Sequence, residues 1–178
     1  SREEEIEIHT RVATLAAEWH ELALRVGAYP LDRPGWFECW LEAFGADGFE
    51  AVALRRDRRL AAVFPVIVKR GMVSSPTNWH TPLFGPVAED GEARLATFAA
   101  LRRRHPRRID LSFLDPVAAN QMQAAWAPAP ASCRTVHDSP YVAIDQDWET
   151  YWQGLSKNLR SSVRRRRKGL DKKGTVTI

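Results

Sequence analysis

Cysteine is scarce in this sequence. Cys39 and Cys133 stand far apart, with no C-x-x-C pair and no histidine partners at metal-ligand spacing. That excludes a disulfide framework and a zinc site as organising features, and both residues read as reduced cytosolic thiols. No apolar run approaches the roughly 18–20 residues of a membrane span, and the first residues lack the charged-then-apolar pattern of a signal peptide. The expectation is a cytoplasmic protein. G-x-S-x-G, Walker and G-x-G-x-x-G motifs are all missing, and the five histidines, His9, His20, His80, His105 and His137, form no H-x-x-x-H pair. Familiar hydrolases, P-loop enzymes and dinucleotide enzymes are thereby disfavoured, and no metal is expected. Neither an internal repeat nor a low-complexity tract appears outside one arginine run. The chain begins at Ser1 without a methionine and stops inside "TVTI", so both ends read as cut.

What is present is an uneven charge. The 178 residues carry a net charge of +4, yet Lys157 to Lys173 holds nine basic residues and one acidic residue, Asp171, leaving 17 basic and 21 acidic residues elsewhere. The body is therefore acidic and the pI near 9.4 belongs to one segment. A generally basic nucleic-acid-binding domain does not have this distribution; a local anion-facing or interface helix does.

Hydrophobic composition of 44% is enough for one domain, or for one lobe of a two-lobed protein. "EEIEIHT" alternates as a strand does. Val12, Leu15, Trp19, Leu22 and Val26 then keep helical spacing up to Gly27, and Trp36, Phe37, Trp40, Leu41 and Phe44 line one face of a short helix between Pro34 and Gly45. Phe49–Arg55 and Leu60–Arg70 read as an antiparallel hairpin around "RRDRR", with Pro65 pointing to an edge position or a bulge. About twenty residues of "GMVSSPTNWHTPLFGPVAEDG" read as an irregular functional loop. Helix, strand and helix follow in "EARLATFAALRRRH", "RRIDLSFLD" and "PVAANQMQAAWA"; after the break at "PAPAS", "CRTVHDSPYVAID" reads as one or two strands. From Asp147 to Gly174 the pattern is a helical hairpin or a kinked helix. The fold class is α/β, mixed α+β.

On that last helix Leu155, Leu159, Val163 and Leu170 form an apolar stripe expected to pack on the body, while Lys157, Arg160, Arg164 and Lys168 form a cationic stripe rotated away from it. The four arginines Arg164–Arg167 cannot all face one ligand, because consecutive residues step around the helix. Asn158 to Gly174 contains no aromatic residue, so the stacking partners of single-strand binding are missing from the helix itself and nucleic acid is disfavoured. Within the loop, Asn78, Trp79, His80 and Thr81 bring amide, indole, imidazole and hydroxyl groups together. They are either a substrate-binding cluster, with His80 available for proton transfer, or a structural turn in which Asn78 bonds its own backbone and Trp79 plugs the core. Arg166, Gly169 and Asp171 imitate a pyrophosphate-binding turn but lie at a helix end rather than after a strand, which makes them a decoy.

The order of "WHELA", "PGWFECWL", "FPVIVKRG", "SPTNWHTPLFGPV" and "DWETYWQGLSKNLRSSVRRRRKGLDKKG" resembles the GNAT-type acyltransferases described as CelD-like or BioF2-like acetyltransferase-domain proteins, relatives of the Fem aminoacyl transferases. The resemblance implies a GNAT-like N-terminal lobe over residues 1–146, then a basic junction helix and the first strand of a truncated second lobe over 147–178. It implies transfer from acetyl-CoA or another acyl-CoA to a small-molecule or glycan-precursor amine, with the donor site mainly beyond Ile178, and a fragment inactive alone. Gly85 and Pro86 match a Gly-Pro pair near the acceptor site of the Fem relatives, although Phe84 stands where arginine is common there. Asn78, Trp79, His80, Thr81, Lys157, Arg160 and Arg164 are the candidate substrate-binding residues, and no catalytic base is assigned. The competing reading is a non-catalytic binding module whose basic helix docks on nucleic acid or an acidic partner.

Overall fold

The computed structural model describes residues 3–45, 47–136, 138, 140 and 142–175. Its secondary structure begins with β1 (Glu4–His9) and continues through α1 (Ala16–Arg25), α2 (Pro34–Phe44), the hairpin β2 (Phe49–Arg56) and β3 (Arg59–Lys69), and the short β4 (Met72–Ser74) and β5 (Val87–Ala88). Then come α3 (Gly91–Arg104), β6 (Arg108–Asp110), α4 (Pro116–Trp126), α5 (Trp148–Gly154) and α6 (Lys157–Asp171), so the fold is mixed α+β. Two compact units divide it, residues 1–136 and 137–178. His137 and residues 176–178, which hold most of the expected terminal strand, lie outside the described residues.

The first unit is built on a sheet in the order β1-β2-β3-β4-β6, with β5 also paired to β3. Its pairs are antiparallel except β4 with β6, which is parallel. In β3 every residue from Leu60 to Ile67 is buried, as are Ala51–Leu54 of β2. Successive strand residues point to opposite faces, so unbroken burial means that helices cover both faces. Trp19, Phe64 and Phe98 are the largest fully buried side chains, and Phe98 of α3 meets Phe64 edge-on at 5.4 Å between ring centres.

Pro65 sits in this central strand rather than at an edge, opposite Ala51 of β2. The outer side of β3 explains how the sheet tolerates it: β5 pairs with Ala62 and Val63, β4 with Ile67 to Lys69, and Pro65 falls in the gap between them. The expected bulge lies nearer the turn, where Leu54 opposes Ala62 and Arg55 opposes Leu60, leaving Ala61 as the extra residue. Asp57 and Arg58 close the hairpin with φ of 49° and 66°, the left-handed pair of a tight hairpin turn.

Several expectations need correction. The loop after β3 contains β4 and β5, strands too short to show alternation in sequence. No strand forms among the described residues of 133–145; Ile144 is 97% exposed. Phe44 leaves the buried face of α2, and the apolar stripe of α6 does not pack away: Leu159, Val163 and Leu170 are 48%, 41% and 54% exposed.

Candidate functional site

A cleft of about 270 Å³ in the first unit is lined by Tyr29, Asp32, Gly85, Pro86, Arg94 and Asp115 among others. Local chemistry fixes each wall. Gly27, at φ 65°, lets the chain leave α1 in a left-handed step. Pro30–Asp32 then forms one 3₁₀ turn, and the indole Nε1 of buried Trp19 donates to the Asp32 carbonyl at 2.9 Å. The opposite wall is pinned by backbone: Phe84 N donates to Phe113 O at 2.8 Å, Asp115 N to Phe84 O at 3.4 Å, and the Phe84 ring stacks on Phe64 at 5.6 Å. At Gly85 a Cβ would stand 3.3 Å from Asp115 Oδ2, a tight contact that would press on that carboxyl.

The two carboxyls differ. Asp115 caps α4, its Oδ1 accepting from Val117 N at 3.0 Å and Ala118 N at 2.9 Å. Asp32 is pushed up to about 6, first by burial and further by the nearby Asp115 charge, while a Tyr29 backbone N–H partly offsets the rise. A carboxyl at that value exchanges a proton close to neutrality. Arg94 reaches the cleft from α3, its Nη1 donating to Gln121 Oε1 at 3.1 Å while its buried Nε has no hydrogen-bond partner among the described residues. The cleft thus offers two carboxyls and a guanidinium around a partly apolar wall, an arrangement suited to a polar ligand bearing an amine.

A larger cavity of about 400 Å³ lies by Trp40, Phe44, Lys69, Ser75, Thr77 and Asp110. Two of its hydroxyls are committed to the loop: Ser75 Oγ bonds Thr77 Oγ1 at 2.9 Å and accepts from Ser112 N at 2.9 Å, and its lining brings no pair of carboxyls together. We therefore take the smaller cleft as the candidate site.

Asn78–Thr81 forms a closed turn outside that cleft. Asn78 Oδ1 accepts from His80 N at 2.9 Å, Thr81 N donates to Asn78 O at 2.9 Å, and Asn78 N donates to Thr81 Oγ1 at 3.2 Å. Asn78 thus bonds its own backbone, as a turn requires, but Trp79 does not plug the core: it is 80% exposed, edge-on to Phe113 at 5.8 Å. His80 is exposed. Lys157, Arg160 and Arg164 lie on α6 in the second unit, where the Arg164 guanidinium stands 5.9 Å from the Trp152 ring centre. The sequence brought Gly85 and Pro86 to notice but not Tyr29, Asp32, Arg94 or Asp115. In the sequence Asp115 only closes the strand-like "RRIDLSFLD" and Tyr29–Asp32 carry no pattern, and only their proximity in space makes them a site.

Among the described residues no group of three or more His, Cys, Asp or Glu is arranged to hold a metal, and no helix is long and apolar enough to cross a membrane. The pyrophosphate of acyl-CoA needs free N–H groups at a helix N-terminus. The N-termini of α3, α4 and α5 are capped by the carboxylates of Asp90, Asp115 and Asp147, which disfavours an anion at those three; α1 and α2 carry no side-chain cap, and α6 is capped by the Ser156 hydroxyl. Compared with protein families, curated proteins and solved structures, the chain finds no match.

Proposed function

We propose that the chain is the acceptor-side lobe of a GNAT-like N-acyltransferase, with the acyl-CoA held by residues beyond Ile178. The observation that carries this reading is the cleft beside Gly85 and Pro86, in which Asp32 and Asp115 converge. A protonated amine is the group such carboxyls attract, and it must lose a proton before it can act as a nucleophile. Asp32, held near 6, is the acceptor of that proton. Arg94 suits an acidic group elsewhere on the same molecule, such as a phosphate or carboxylate of a glycan precursor. The central hairpin, with β3 shared between β4 and β5, is compatible with a GNAT-like lobe.

The test has two arms. Primary amines from lysine to amino sugars are titrated into the chain by calorimetry, and thiol release from acetyl-CoA is followed with the chain continued past Ile178 as its gene encodes it. Amine binding should weaken by about tenfold or more in Asp115→Asn, and amine-dependent thiol release should fall in Asp32→Asn, with the acid limb of its pH profile gone. The absence of amine-dependent thiol release across the panel overturns the proposal.

A further inference from the structure

We infer that the second unit binds single-stranded nucleic acid, on a surface made by the aromatic face of α5 and the cationic face of α6. This rests on the second unit alone and is independent of the cleft. Helix α6 has no aromatic residue, but α5 supplies three in one turn: Trp148 stacks on Trp152 at 5.7 Å between ring centres and meets Tyr151 at 5.7 Å. Ser156 caps α6, its Oγ accepting from Leu159 N at 3.3 Å, so the chain breaks direction between the two helices. That break brings Arg164 over the Trp152 ring at 5.9 Å.

The consequence is an aromatic platform continuous with a line of cations. Trp148 is 67% exposed and Trp152 half-buried, so the ring pair is open to a stacking partner. Lys157, Arg160, Arg164 and Lys168 recur on one side of α6. Bases stack on aromatic rings regardless of sequence while the backbone tracks a cationic groove, and an arginine over a ring joins the two functions.

An anionic membrane is the other surface a basic amphipathic helix can meet. On a membrane the aromatics belong with the apolar stripe, cations flanking it. Here the aromatic ring lies with Arg164 on the cationic side, and Arg166 interrupts the stripe of Leu159, Val163 and Leu170. The arrangement favours the nucleic acid.

The experiment uses the whole chain, a fluorescein-labelled oligothymidine of about twelve nucleotides, a duplex of equal length and vesicles containing phosphatidylserine. Oligothymidine should bind with a rise in anisotropy and quenching of tryptophan emission. The log–log salt slope should be about −0.7 for each phosphate contacted. Trp152→Ala should weaken binding by about ten- to a hundredfold, with Trp152→Phe recovering most of it; circular dichroism checks that both variants keep their helices. Failure to bind at low salt overturns the inference. So does equal affinity in Trp152→Ala, which would leave only charge attraction, or binding to vesicles in preference to the oligonucleotide.

Discussion

Replacing Asp32 by Asn tests the cleft through stability, without any knowledge of its ligand. The Asp32 carboxyl is raised from 3.8 to about 6 in the folded chain. Between those values the folded state holds a proton that the unfolded state has released, so stability falls as pH rises through the window and stays lower above it. The shift of about two units corresponds to at most about 3 kcal/mol. Solvent reaches part of this half-buried group, and screening reduces the figure to about 1–2 kcal/mol. Asn is uncharged and nearly isosteric with the protonated acid, so Asp32→Asn removes this penalty above the window and changes little below it. At about 2–4 °C per kcal/mol for a chain of this length, the variant should melt about 2–8 °C higher than the parent near pH 7.5, and within about 1 °C of it near pH 4. Thermal unfolding by circular dichroism at both values, with the difference taken at each, is the assay. The carboxylates Glu7, Glu18, Glu50 and Asp90 are all held low by hydrogen bonds or arginine partners and lose their contribution as pH falls. They act equally in both proteins and cancel. An Asp32→Asn variant that melts at or below the parent near pH 7.5, or is shifted equally at both values, refutes the reasoning.

Three further outcomes are expected. Gly48→Ala should cost about 2–4 kcal/mol in a denaturant titration, because its φ is 86° and a Cβ would lie 2.1 Å from the Val68 carbonyl oxygen; a cost below about 1 kcal/mol would mean the backbone relaxes there. Asp90→Ala removes the α3 cap, whose Oδ1 accepts from Ala93 N at 2.7 Å, and the Oδ2 partner of nearly buried Arg56 at 2.6 Å, so a loss of about 2 kcal/mol or more should appear by the same measurement. Glu50, held below its ordinary value chiefly by Arg104 and then by His105, stabilises the chain above that value and stops doing so as pH falls. Glu50→Gln should therefore melt below the parent at neutral pH, by about 1 kcal/mol of stability, and converge with it in acid.

The regular elements of the first unit are legible because each obeys one local rule. The apolar spacing of Trp19 and Leu22 in α1, preceded by Val12 in a 3₁₀ turn and Leu15 at the N-cap, the turn between β2 and β3, and Pro116 at the start of α4 mark their elements without reference to the rest of the chain. Misreadings occur where a local pattern needs a distant partner. Residues 133–145 read as one or two strands, but an extended segment stabilises nothing unless a neighbouring strand accepts its hydrogen bonds, and the described residues among them form no strand. Pro65 points to an edge by its missing N–H, and the gap between β5 and β4 satisfies that requirement inside the sheet.

The sequence by itself determined the longer helices, the β2–β3 hairpin, the acidic body and the cationic helix, because periodicity, capping and charge are properties of neighbours along the chain. Tertiary structure alone decided which polar residues meet. Asp32 and Asp115 are separated by more than eighty residues of chain, and only the packing of the α1 exit, the Gly85–Pro86 segment and the α4 cap makes one carboxyl raise the pKa of the other. Arg164 meets Trp152 only because the chain turns at Ser156. Coulomb and stacking interactions act through distance in space, and a one-dimensional pattern does not encode that distance.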